Sequence, residues 1–262
     1  MQPLLESKVI AITGCSSGIG RAIAIACAQH GATLILHHLG TAQTDTDVQS
    51  LLSEISKEHG ASPTSHIIIG CDLTSEGAAE KIIETAVSTY GRLDSLVNNA
   101  GICRFEPAAA VSSELLNRHM DINYKAVYYL TRAATSQMMH QGTGGSIVQI
   151  SSITALFGSA GLTHYAPTKA ALLAMSKAFA VEFGRHGIRY NCVLPATTPT
   201  GMTSDYLSDT NKRSSLEERV PLGRLGRPTD IAGPVVFFAS DLSGFISGEE
   251  LLVDGAASVN YQ

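Results

Sequence analysis

Short aliphatic runs alternate along this chain with longer stretches in which apolar residues recur every three or four positions. The runs are KVIAIT (8–13), TLILHH (33–38), SHIIIG (65–70), SLVNN (95–99), SIVQI (146–150), IRYNCVL (188–194) and ELLVD (250–254). Each is too short for a globular helix and shows no polar alternation, which predicts strands buried on both faces. Between them, residues 19–31, 47–60 and 78–91 carry the helical period, and the first two end in His-Gly, a helix stop. Strand and helix in strict alternation predict βαβ units, hence an α/β fold with a parallel sheet covered by helices on both sides. No linker or composition break divides the 262 residues, so a single domain over 1–262 is expected. The one polar interruption late in the chain, residues 197–216, reads either as a substrate loop or as a mobile surface loop.

Composition narrows the partners. The chain has 44% hydrophobic and 16% charged residues and a net charge of −5, which argues against nucleic acid and anionic membrane as partners and for a small-molecule substrate. Its apolar start runs straight into the first strand, leaving no basic leader, so a cytoplasmic protein is expected. The five cysteines, Cys15, Cys27, Cys71, Cys103 and Cys192, show no C-x-x-C pair and suit reduced thiols; neither a disulfide framework nor a metal site is indicated.

The chemistry begins at TGCSSGIG, residues 13–20, between the first strand and first helix. Gly14, Gly18 and Gly20 let a turn close and let a pyrophosphate approach backbone N–H groups at the helix N-terminus, with Ser16, Ser17 and Ile19 completing the cradle. The end of the second strand, where an acid or an arginine normally reads the adenosine ribose, holds His37, His38 and Leu39. His38 and Leu39 are the candidate ribose contacts, and a neutral imidazole leaves NAD and NADP both open. After the third strand Asp72, with Leu73, offers a carboxylate that could bond an adenine amino group, and after the fourth the small residues of Asn99, Ala100 and Gly101 let backbone approach a ribose; either alone could equally be an ordinary turn.

Tyr165 and Lys169, four residues apart at the start of an alanine-rich helix, share one face and can present a phenol and an ammonium to one point. A phenol with a pKa of about 10 is a poor base at neutral pH, so a nearby ammonium that favours the phenolate is chemically apt. With Asn123 in MDINYKAVYY, Ser152 in QISSI and the turns above, the order and spacing resemble the short-chain dehydrogenase/reductase family over nearly the whole chain. The resemblance implies a Rossmann-type doubly wound sheet of seven parallel strands and hydride transfer with NAD or NADP. It implies Tyr165 as base, Ser152 on the substrate oxygen, Lys169 on the nicotinamide ribose and Asn123 ordering a relay water. Pro195, Thr198 and Thr200 fall where the family grips the carboxamide. Two departures are Ala196 and Ala126, each where the family commonly has glycine.

Among family members the longer runs GTGGSIVQISSITALFG, THYAPTKA and LLVDGAASVN are most similar to fungal sugar dehydrogenases that act on rhamnose. The implied reaction is oxidation of the anomeric hydroxyl of L-rhamnose or a related aldose to the lactone, with Arg104, Thr154 and His164 as candidate sugar contacts. Two alternatives stay open: an NADPH-dependent reductase of ketones or 3-oxoacyl thioesters, and a non-catalytic nucleotide-binding protein. The family resemblance also implies a homotetramer, for which Ala170, Leu173, Ala174, Ala178 and Val181 fit either an interface or a buried core.

Overall fold

A computed structural model describes residues 3–59 and 66–260. The strands are β1 (Val9–Ile12), β2 (Thr33–His38), β3 (Ile67–Gly70), β4 (Ser95–Asn98), β5 (Gly145–Ile150), β6 (Ile188–Pro195) and β7 (Glu250–Val253). The helices are α1 (Gly18–Gln29), α2 (Ala42–His59), α3 (Ala78–Tyr90), α4 (Ser113–Met120), α5 (Ala126–Gln141), α6 (Ala166–Phe183), α7 (Thr210–Glu218) and α8 (Pro228–Ala239). The strands form one parallel sheet in the order β3-β2-β1-β4-β5-β6-β7. The chain winds outward from β1 to β3, crosses back to β4 and winds the other way. Connections therefore diverge beyond the carboxyl ends of β1 and β4, and a crevice opens there.

Strand parity explains why the runs are apolar throughout. Ile10, Ile12, Leu34 and Leu36 pack into the layer with Ile23 and Cys27 of α1, Val48 and Leu51 of α2, and Ile231 and Val235 of α8. Their neighbours Val9, Ala11 and Ile35 face the opposite layer with Ile82 of α3, Leu130 of α5 and Leu172 of α6. A strand covered on both sides has no solvent face to keep polar. The helix stops also have a cause: Gly31 and Gly91 take φ of +87° and +73°, the left-handed region in which a Cβ is disfavoured. Gly60 and Ser65, expected in the second helix stop and the third strand, lie outside the described residues, as do Tyr261 and Gln262.

Three elements differ from expectation. Helix α2 starts at Ala42, five residues before the predicted 47, because Thr41 and Thr44 cap it reciprocally: each hydroxyl accepts from the other's N–H, at 3.3 and 3.0 Å. Its polar first turn hid that start. Segment 197–216 is partly helical, with a 3₁₀ turn at Gly201–Thr203 followed by the first residues of α7, whose N-cap Asp209 accepts from the N–H groups of Asn211 and Lys212. Between α4 and α5 the helix widens into a π turn, Asp121–Lys125. Ala126 closes that turn through its N–H to the Asp121 carbonyl, so its methyl group is accommodated. Ala196 needs no glycine either, since its φ is not left-handed and its N–H bonds the Val253 carbonyl at 3.1 Å.

Leu34 is fully buried between β1, α1 and α2. Leu34→Ala is expected to destabilise the fold by about 2–5 kcal/mol, read as a lowered urea midpoint at unchanged slope.

Candidate active site

The turn after β1 is held from below by β4. The Thr13 hydroxyl accepts the N–H groups of Asn99 and Ala100, both at 3.0 Å, while the Asn99 amide donates to the carbonyls of Thr13 and Gly14 at 2.9 and 3.0 Å. The glycines are sterically required. A Cβ on Gly14, whose φ is +64°, would lie 2.9 Å from the Ala100 Cα, and one on Gly20 would strike the Gly14 carbonyl and the Asn99 amide. Ser17 makes no side-chain cap to α1, which leaves the helix's first N–H groups facing the crevice. Gly14, Ser16, Ser17, Gly18, Ile19 and Gly20 all line a cavity of about 1230 Å³, ample for a dinucleotide.

At its adenosine end Leu39, Asp72 and Leu73 line the cavity, but His38 does not. His38 is 1% exposed and lies under α2, its Nδ1 3.1 Å from the Thr44 hydroxyl and accepting the Gly40 N–H. Adjacent strand residues point to opposite faces, so it is His37 that reaches the cavity. His37 Nδ1 accepts the Gly14 N–H at 3.4 Å and Nε2 donates to the Cys71 carbonyl at 2.9 Å, bracing the glycine turn against the end of β3. Burial pushes this imidazole down to about 4, so it is neutral. Arg21 is turned away onto Glu54. Asp72 Oδ1 accepts from the Thr74 N–H and hydroxyl and so fixes its own turn.

At the other end Tyr165, Lys169, Ser152 and Gly101 converge on the cavity. Lys169 is 5% exposed and its Nζ donates to the Ile150 carbonyl at 2.9 Å, 5.7 Å from the centre of the Tyr165 ring. Burial drives the two groups apart: it pushes the phenol well above its usual range and the lysine down to about 8. For Tyr165 the loss of water around the phenolate is the largest influence. The Ser152 hydroxyl pulls the phenol the other way, and it accepts from the Thr154 N–H and hydroxyl at 3.2 and 2.9 Å. Cys103 stands beside them as a neutral thiol, raised to about 11 by burial.

Asn123 lies behind the cavity wall. Its Oδ1 accepts from Ile102 N–H at 2.8 Å, and Nδ2 donates to the Ile102 carbonyl and the Thr168 hydroxyl. It locks the π turn to the loop after β4.

Pro195, Thr198 and Thr200 line the cavity from above. Thr200 lies over the glycine turn, its methyl 3.2 Å from where a Gly18 Cβ would stand. Thr198 donates to the Ala196 carbonyl at 3.0 Å. Further along, Tyr206 stacks on Phe105 with ring centres 3.8 Å apart. Of the three expected sugar contacts only Thr154 reaches the cavity. Arg104 points outward to Glu106, and His164 is buried with Nε2 donating to the Arg104 carbonyl at 2.9 Å.

A family model described as enoyl-(acyl carrier protein) reductase matches residues 14–257. An L-rhamnose 1-dehydrogenase (NAD(P)⁺) of Azotobacter vinelandii is 43% identical, the match covering 99% of this chain and 100% of that one. An L-rhamnose-1-dehydrogenase of Scheffersomyces stipitis is 42% identical over the full length of both. This chain belongs to the short-chain dehydrogenase/reductase family. The structure superposes, with a TM-score of 0.89 and 27% identity over 97% of this chain and 96% of the other, on a gluconate 5-dehydrogenase of Burkholderia cenocepacia in complex with NADP and tartrate.

In this short-chain dehydrogenase/reductase several cavity-lining residues escaped the motif reading: Arg118 from α4, Ser159 from the loop before α6, Tyr206, and Ser258 near the C-terminus. No spacing marks them, since each comes from a different element. His37 was legible as a strand end, but its orientation depends on parity.

The sign of the His37 effect is testable. Above pH 6.5 the imidazole is neutral whether the chain is folded or not; between pH 6.5 and about 4 only the unfolded chain takes up the proton. Stability therefore falls on acidification, by roughly 2 kcal/mol between pH 7 and pH 5. His37→Leu removes that contribution, so urea midpoints of wild type and variant converge as the pH falls. Parallel midpoints would show that His37 titrates alike in both states.

Proposed function

We propose that this protein oxidises the anomeric hydroxyl of L-rhamnose, or a closely related aldose, to the lactone with NAD⁺ or NADP⁺. The reading is carried by Ser152, Tyr165 and Lys169 converging at one end of a dinucleotide-sized crevice, in a chain matched end to end by rhamnose dehydrogenases. The glycine cradle, the uncapped α1 N-terminus and the neutral wall of His37 and Leu39 fit a dinucleotide. Gly14 to Gly20 and Asn99 to Gly101 hold its phosphates and riboses, Asp72 and Leu73 its adenine, and Pro195, Thr198 and Thr200 its carboxamide. Without an acid or a free arginine by the ribose, both cofactors are accepted. When bound, the oxidised cofactor supplies the hydride acceptor.

Ser152 receives the sugar hydroxyl and turns its proton toward Tyr165. Tyr165 takes that proton as phenolate, a state that burial opposes and that positive charge brought beside it restores. Lys169, steadied by the Ile150 carbonyl, holds the nicotinamide ribose and passes the proton outward. Asn123 keeps the loop after β4 in place, a positioning role. An NADPH-dependent ketone or 3-oxoacyl reductase would be expected to carry a cation at Ser17 or Leu39, and neither position has one.

We place the protein in the cytoplasm, as a homotetramer. No described helix is long and apolar enough to cross a membrane. On α6, Leu173 belongs to the core, but Ala174, Ala178 and Val181 are exposed, Val181 at 87%, beside the open edge of β7. Sedimentation at micromolar concentration is expected to give four chains per particle, and Val181→Lys to lower that number.

The deciding assay is initial rates of reduced-cofactor formation with L-rhamnose, other aldoses and simple secondary alcohols, each with NAD⁺ and NADP⁺. Rhamnose-dependent turnover with both cofactors is expected, rising with pH as Tyr165 ionises. Tyr165→Phe should retain cofactor affinity and lose about 10²–10⁴ in kcat. Full turnover by that variant would remove Tyr165 as base, and silence with every sugar would remove the substrate.

A further inference from the structure

We propose that His164 is a positioning residue that ties the placement of Tyr165 to closure of segment 197–216, with His119 as its brace. The proposal rests on Tyr165 as base and is independent of which sugar is oxidised.

The connection is continuous. His164 immediately precedes Tyr165 and is 1% exposed; its Nε2–H holds the Arg104 main-chain carbonyl at 2.9 Å. A second tie, Glu106 N–H to the Gly161 carbonyl at 2.9 Å, fastens the same loop to the turn leading into Tyr165. Between these anchors Phe105 presents its ring to Tyr206, centres 3.8 Å apart and planes 7° from parallel, and the Lys212 ammonium lies 4.0 Å over the Tyr206 ring. The closing segment thus docks on a loop that His164 holds to the base. Phe105 and Tyr206 also line the cavity, so a closed stack shapes the substrate end.

His119 completes the brace from α4. Its ring meets that of His164 at 4.5 Å and that of Tyr165 at 6.5 Å, edge-on to both, and Nδ1–H donates to the Leu115 carbonyl at 2.8 Å. The remaining nitrogens, His119 Nε2 and His164 Nδ1, are buried without a partner among the described residues. Leaving such acceptors unpaired costs stability, so packing alone would favour an apolar ring at either place. The role of these side chains lies in the donor each one aims.

The two histidines use opposite nitrogens, which makes the test specific. Glutamine carries an N–H near the position of Nε2, asparagine near that of Nδ1. His164→Gln is expected within about threefold of wild-type kcat and His164→Asn to lose about 10–100-fold, while at His119 asparagine rescues and glutamine does not. Cofactor affinity stays unchanged in all four. Tyr206→Ala should raise KM, and combined with His164→Asn should lose less than the product of the separate losses, as coupled sites do. The rates are taken with L-rhamnose or with whichever alcohol the panel shows to be oxidised. Independently of turnover, Tyr206→Ala should speed amide hydrogen exchange across residues 162–168. Equal rescue by asparagine and glutamine, multiplicative losses, or unchanged exchange in Tyr206→Ala would each overturn the coupling, whatever the substrate.

Discussion

The Thr13 hydroxyl is the point from which the crevice is organised. It accepts two backbone N–H groups from the chain leaving β4, donates toward the Val97 carbonyl at 3.4 Å, and lies directly before the glycine turn. Because β1 and β4 pair side by side while their connections run to opposite sides, these bonds extend the ladder to fix the separation of the crevice's two lips. The Asn99 amide supplies the rest by binding the Thr13 and Gly14 carbonyls. The lips approach so closely that Gly14 and Gly20 have no room for a methyl group. Everything that faces the cavity from β1, β4 and α1 inherits its position from this seam.

A second constraint acts at the other end, where desolvation shifts a phenol and an ammonium in opposite directions. Tyr165 is kept protonated and Lys169 is brought to about 8, so neither carries its charge as readily as it would in water. Such a site is poised: positive charge added nearby favours the phenolate, and the low dielectric makes that influence stronger than on a wet surface. After burial, Cys103 is the next influence on both groups: it adds to the raising of the phenol and partly offsets the lowering of the lysine.

How far the sequence disclosed this follows from where each residue's information lies. The strands were legible because burial on both faces leaves an aliphatic run, and the glycine turn because it is flanked by a strand and a helix. Tyr165 and Lys169 were legible because helical spacing alone puts them on one face. The two histidines ending β2 were ambiguous for a complementary reason: a strand without polar alternation gives no sign of which residue faces the crevice, and register with β1 and β3 decides it. Asn123 was found as a motif residue, but its engagement with Ile102 depends on a π turn that no periodicity announces. His119 stayed hidden because its partners, Leu115 excepted, are far off in the chain.

Helix α7 was missed on grounds that also bear on how the crevice closes. It has no fully buried residue and its one apolar side chain, Leu216, is half-buried at the cavity, so no apolar period marks it. A segment with so little buried surface opens at small free-energy cost. Its placement over the crevice depends instead on a few contacts, Thr200 above Gly18 and Tyr206 on Phe105. Both contacts border the cavity, so a ligand that fills it adds to them directly. The sheet and its flanking helices set where Ser152, Tyr165 and Lys169 stand, and segment 197–216 borders the same cavity.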